Sequence, residues 1–162
     1  MLVGLPHIGK VQGRSDHVKP LLGVALPTHP ACIIADEELK EMSARALAGL
    51  AVDEANRQGI ARAGGMVMLM ELLTNSEVGE PSRSAAGLAL ANLSLNPRNR
   101  SMLVGPQFLP KLADMLAVGQ LHRGSPLREA AKMVWLKVDG DPTLRQHLQQ
   151  VKDDKGIILD LS

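Results

Sequence analysis

An all-α fold, an α-solenoid of stacked helical repeats, is predicted by three features of this sequence. First, residues 82–116 have an upstream copy at a spacing of 43 residues: Leu47 falls on Leu90, Ala48 on Ala91, Leu50 on Leu93, Asn56-Arg57 on Asn99-Arg100, Leu69 on Leu112 and Leu73 on Leu116. Second, apolar residues in both copies recur at helical rather than alternating spacing. Third, hydrophobic residues make up 45% of the chain but aromatic ones only 1%. A core of Ala, Leu, Met and Val suits close helix packing better than a sheet. A helical pattern with a period in the forties marks stacked repeats, each too small to bury its apolar face alone.

Taken in order, residues 1–35 are broken by Gly and Pro too often for a long helix and have no copy elsewhere. They read as a partly ordered leader whose apolar pieces cover the exposed end of the first helix. The run Leu21-Leu22-Gly23-Val24-Ala25-Leu26 is the longest of these pieces. The repeat region is assigned to residues 36–150. Asp36, Glu37 and Glu38 suit a helix N-terminus, where negative charge is favoured. Leu39, Met42, Ala46, Leu47, Leu50 and Ala51 then share one helical face.

Residues 53–63 predict a short helix with Ile60 inward, stopped by Gly64-Gly65, which permit a sharp change of direction. Residues 66–73 form the next helix with Leu69, Leu72 and Leu73 buried. Met66 is assigned to the core and Met68 and Met70 to partial exposure, because alternate spacing cannot put all three on one helical face. A polar turn, residues 74–81, leads into the second copy, which Gly105-Pro106 interrupts. Asn96-Pro97, Ser125-Pro126 and Asp141-Pro142 each pair a capping side chain with a proline suited to a first helical turn.

Residues 125–138 make the long helix of a partial third copy, with Leu136 set on Leu93. That match needs two extra residues in the next turn to bring Asp141-Pro142, Arg145 and Leu148 onto Asn96-Pro97, Arg100 and Leu103. After Gln150 the pattern ends. Residues 151–162 are assigned to a C-terminal tail whose apolar part, 157–161, has no place in the repeat.

Composition narrows the function. A net charge of +1 with mixed signs argues against a nucleic-acid partner, and the apolar runs fall far short of the ~20 residues that insert in a membrane. The N-terminus lacks the basic-then-apolar pattern of a signal peptide. The single Cys32 forms no internal disulfide, in keeping with the cytoplasm or nucleus. His7, His17, His29, His122 and His147 are scattered, and the His29/Cys32 pair lacks the further ligands zinc needs, so no metal is expected. There is no phosphate-binding Gly-x-x-x-x-Gly-Lys run and no Gly-x-Ser-x-Gly elbow. No catalytic residue and no cofactor are assigned; the chain does not read as an enzyme. Helical repeats that read RNA would show a period in the mid-thirties, which is absent.

Three pieces resemble the armadillo repeat family: Asn56 … Ile60 … Gly64-Gly65-Met66, then Leu69 … Leu72-Leu73, then Ala86 … Leu90-Ala91-Asn92-Leu93. The likeness spans residues 38–148, and the second copy departs from it where Gln107-Phe108 replaces the paired glycines. The related HEAT-type repeat fits the same outline. The resemblance implies a right-handed superhelix of three-helix units whose third helices line a concave groove. It also implies a protein-protein interaction module that binds an extended segment of a partner protein there. In such arrays an Asn near the end of the third helix bonds the partner's backbone, which an amide can do as donor and acceptor.

Only Asn92 matches that Asn, with Leu88 one turn before it; the equivalents are Gly49 and Arg45 upstream, Trp135 and Ala131 downstream. Arg45, Leu88, Asn92, Arg128 and Trp135 are therefore the candidate groove residues. Four of them have a plainer reading: Asn92 bonding a neighbouring loop, Trp135 in the core, the two arginines solvated. The nuclear-import branch of the family is set aside, because its repeated Trp and Asn are missing and Arg45 and Arg128 would repel a basic segment. The alternative role within the family is the substrate-selecting or adaptor part of a ubiquitin-ligase or membrane-tethered scaffold. Self-association through exposed repeat ends is expected unless the leader and tail cover the apolar outer faces of the end helices.

Overall fold

Helices account for most of the computed structural model, which describes residues 37–161. Among these residues are eight α-helices, α1 (Glu37–Leu50), α2 (Glu54–Arg62), α3 (Gly65–Thr74), α4 (Glu80–Leu93), α5 (Pro97–Arg100), α6 (Leu109–Leu116), α7 (Pro126–Asp139) and α8 (Arg145–Lys155), with a 3-10 turn over Ser101–Val104. The leader, the Asp36 helix start and the His29/Cys32 pair lie outside the described residues. The helices fall into a cycle. α2, α3 and α4 form one three-helix unit, and α5 with its 3-10 extension, α6 and α7 form the next. α1 takes the place that α4 and α7 hold in these units. α4 packs along α1 on one side and along α7 on the other, while α3 backs α4 and α6 backs α7. Leu47 and Leu90, the residues that anchor the 43-residue match, are both fully buried on the equivalent helices α1 and α4.

The local chemistry explains the breaks. Asp53 caps α2, its Oδ1 accepting from the backbone N–H of Ala55 (2.9 Å) and Asn56 (3.1 Å). Gly64 sits at φ 84°, a left-handed conformation that costs glycine nothing, and it turns the chain from α2 into α3. Asn96 and Ser125 cap α5 and α7 as expected. Asp141 does not start a helix: its carboxylate accepts from the N–H and hydroxyl of Thr143 and makes a turn, and α8 begins only at Arg145. Helix ends share a second device. Arg57 donates to the carbonyls of Ala51 (3.1 Å) and Val52 (2.8 Å) just past α1, and Arg145 donates to Asp139 O at the end of α7. Arg83 does the same for Leu73 at the end of α3. A cation on unsatisfied carbonyls opposes the negative end of the helix dipole.

Gly87 sets the distance between α4 and α7. A Cβ there would lie 2.7 Å from Ala130 Cβ, so the two backbones touch at that level. At the first turns, Glu37 ties α1 to α4. Its Oε2 accepts from the N–H of Gly79 (3.0 Å) and lies 3.2 Å from the Ser82 hydroxyl, while its Oε1 receives Lys40 Nζ at 2.8 Å. The Lys40 bond, then the Gly79 N–H, hold the Glu37 carboxyl below the ordinary glutamate range, against the opposing effect of burial. A carboxyl whose folded pKa is depressed contributes stability that is present at neutral pH and lost as pH falls through the acid range. Glu37→Gln is therefore expected to flatten the acid limb of a stability-versus-pH curve, with an effect below about 1 kcal/mol because the group is half exposed. Urea melts at stepped pH check it.

The structure corrects several sequence expectations. Met68 is buried with Met66, and only Met70 is partly exposed; the solvent side of α3 is taken by Val67 instead. The repeat does not end at Gln150, since α8 continues to Lys155, where Gly156 at φ 59° closes it. The apolar tail has a seat. Ala117 and Leu159 form an isolated antiparallel bridge, Val118 N donates to Ile158 O and Asp160 N donates to Leu116 O, which clasps residues 157–160 onto the end of α6.

The largest correction concerns the third copy. The residues of α7 equivalent to those of α4 lie 45 positions on, not 43: Pro81 matches Pro126, Arg83 matches Arg128, Ala85-Ala86 match Ala130-Ala131 and Leu90 matches Trp135. No extra residues are then needed to bring Asn96-Pro97 onto Asp141-Pro142. Leu136, expected at the buried place of Leu93, is 46% exposed, and Val138 is buried there.

Candidate binding groove

Because α1, α4 and α7 lie side by side, they present one surface, and it is hollowed into a groove of about 1010 Å³. Two full rows and one partial row of residues cross its floor, in the order α1, α4, α7. Toward the helix N-termini lie Glu41, Ser84 and Glu129; next come Arg45, Leu88 and Met133; Gly49 and Asn92 follow. Val52 stands at the α1 end, 69% exposed, and Leu88 and Met133 are 42% and 39% exposed. These are large apolar side chains left in water at the centre of a concavity, the usual composition of a contact surface. Glu41, Glu80 and Glu129 are the acidic residues of the lining and Arg45 its basic one. Arg45 is itself neutralised by Glu41 at 2.6 Å, and Glu129 is bonded to Lys132 at 3.2 Å.

Of the five residues singled out from sequence, three line this groove: Arg45, Leu88 and Asn92. Two do not. Trp135 is fully buried, with Lys152 Nζ 5.7 Å from its ring centroid, and belongs to the core beneath α8. Arg128 is 1% exposed; it pairs with Asp160 at 2.7 Å and donates to the carbonyls of Asp160 (2.8 Å) and, more weakly, Leu121 (3.4 Å). A slip of two residues turns a helix by about 200°, which carries a core side chain to the opposite face. Met133, the α7 counterpart of Leu88, was missed for the same reason; the Pro81/Pro126 and Arg83/Arg128 matches would have found it.

Asn92 is half-buried and does not stand free for a ligand. Its Nδ2 donates to Ala48 O at 3.0 Å. That carbonyl is an orphan of the end of α1, because Val52 N turns to Gly49 O rather than to Ala48. Asn92 thus caps α1 from the neighbouring unit. The bond to Ala48 uses one of its two amide N–H groups, so the second N–H and Oδ1 are what it offers to the groove. Asn99 serves the turn after α4, donating to Leu93 O at 3.0 Å.

Among the described residues no group of three His, Cys, Asp or Glu side chains could hold a metal ion. No helix of the described residues is long and apolar enough to cross a membrane. No protein-family model, no curated protein and no solved structure matches this chain.

Proposed function

We propose that the chain is a non-catalytic protein-binding module, a short armadillo-type array that receives an extended segment of a partner protein across α1, α4 and α7. The observation that carries this reading is the row Arg45–Leu88–Met133, three equivalent positions on adjacent helices that leave an apolar centre open in a concave floor. Three helices at spacings of about 9 Å offer a floor about 20 Å wide, room for about six residues of extended chain. The partner's backbone N–H groups would find Asn92 Oδ1, its apolar side chains the Leu88/Met133 centre, and its flanking cations the glutamates of the rim. Of the two arginines in the sequence-based objection to a basic segment, Arg128 lies inside the molecule, and Arg45, which does line the groove, is paired with Glu41.

Selection of displayed twelve-residue peptides against the full chain tests this. Enriched peptides are expected to carry one or two bulky apolar residues flanked by Lys or Arg. The double variant Leu88→Glu/Met133→Glu, at two exposed positions, is expected to fold as the parent does and to bind them at least tenfold more weakly, the loss typical of a central contact. Equal binding by that variant refutes the groove.

A further inference from the structure

A second hollow, of about 290 Å³, opens where α2 meets α5 and the 3-10 turn, and it shares no residue with the groove. Gln58 and Arg62 line it from α2, Asn96 and Arg98 from the start of α5, and Met102 from the 3-10 turn. No Asp or Glu is among its lining residues.

The arginines of this protein are otherwise spoken for. Of the nine among the described residues, seven face a carboxylate or donate to a backbone carbonyl. The two that do neither, Arg62 and Arg98, line this one hollow. Gln58 Oε1 steadies Arg62 at 3.3 Å without neutralising it. Two guanidinium groups around one cavity repel each other, and an anion between them turns that cost into an attraction.

Asn96 adds a neutral donor. It is 8% exposed, and its Oδ1 accepts from Arg98 N at 2.9 Å, which fixes the amide and leaves Nδ2 pointing elsewhere. Nδ2 bonds no other described residue, yet it is not among the enclosed polar atoms that lack a partner, so it opens to the hollow that Asn96 lines. Fixed N–H donors with no carboxylate beside them suit an oxyanion, and arginine pairs with phosphate or carboxylate through two parallel bonds. Charge decides between these. A phosphate monoester carries about −1.5 to −2 at pH 7 and balances both arginines. The single charge of a carboxylate leaves one of them uncompensated. Met102, 38% exposed, gives the cavity an apolar side for the carbon chain that bears the phosphate. We propose that this hollow is a phosphate-binding site, in which Arg62 and Arg98 hold the dianion and Asn96 Nδ2 is a third donor.

The test is a titration of the full, ¹⁵N-labelled chain by NMR at constant ionic strength, with N-acetyl-O-phosphoserine amide as the probe. The Asn96 side-chain NH₂ and the Arg98 Nε–H signals are expected to shift saturably, with a Kd of about 1 mM or below, as two or three charge-assisted bonds allow. Arg62→Gln/Arg98→Gln, at two exposed positions, should weaken binding at least tenfold with the rest of the spectrum unchanged. Lys111→Gln, which removes a charge from α6, should leave the Kd as it is. Shifts that do not saturate, an unaltered Kd in the double variant, or acetate binding as tightly as the phosphoserine probe overturn the proposal. Inorganic phosphate separates the two sources of the group, and either result supports the site. Binding at least tenfold weaker than the ester assigns a phosphate borne on a larger molecule, and equal binding assigns the free ion.

Discussion

Asp160→Ala is expected to lower stability by about 3–5 kcal/mol, the usual cost of stripping the partner from a buried charge. Its carboxylate holds Arg128, which is almost wholly enclosed and whose Nε has no hydrogen-bond partner even with the pair intact. Without Asp160 the guanidinium keeps two carbonyls and loses its only ion-pair partner among the described residues. Arg128→Met should cost clearly less. It removes the buried cation, keeps much of the volume, and leaves Asp160 with Arg123, which reaches it from the exposed side at 3.1 Å. The double variant Arg128→Met/Asp160→Ala should recover part of the loss, because an apolar pair of similar volume carries no desolvation penalty. Urea denaturation of the three variants decides it. An Asp160→Ala cost below about 1 kcal/mol would mean the clasp contributes little.

Trp135→Ala should cost about 3–5 kcal/mol, as expected for a large aromatic side chain removed from a filled core. Trp135 is the largest fully buried side chain among the described residues and sits where α7 meets α8. Its indole N–H has no partner, so Trp135→Phe removes an unsatisfied donor along with some contact area and should cost only about 1 kcal/mol. Thermal melts and urea titrations check both. Peptide binding by the Trp135→Phe variant should be unchanged, since no atom of Trp135 lines the groove.

The architecture was legible because repetition states a fold twice. Leu47 and Leu90 are buried on equivalent helices, and Asp53 and Asn96, also 43 residues apart, cap the equivalent short helices α2 and α5. The groove was legible only in its first two helices. The third was aligned on leucine, which is interchangeable across a helix surface. The proline and arginine of Pro81-Ser82-Arg83 and Pro126-Leu127-Arg128 were not used, although their backbone and capping roles fix their position. Two residues of error moved Arg128 and Trp135 to the wrong side. The seat of the tail could not be read at all, because Asp160 and Arg128 lie 32 residues apart and no periodicity links them.

That seat imposes an order on synthesis. The bridge at Ala117 and the carboxylate of Asp160 come together only after the ribosome has released residues 157–160, well behind α6 and α7. Until then α7 carries a cation whose counter-charge does not yet exist, and the last unit of the stack is held by its apolar contacts alone. Residues 157–160 are thus made after the helices they clasp, and the Arg128–Asp160 pair can form only once they follow.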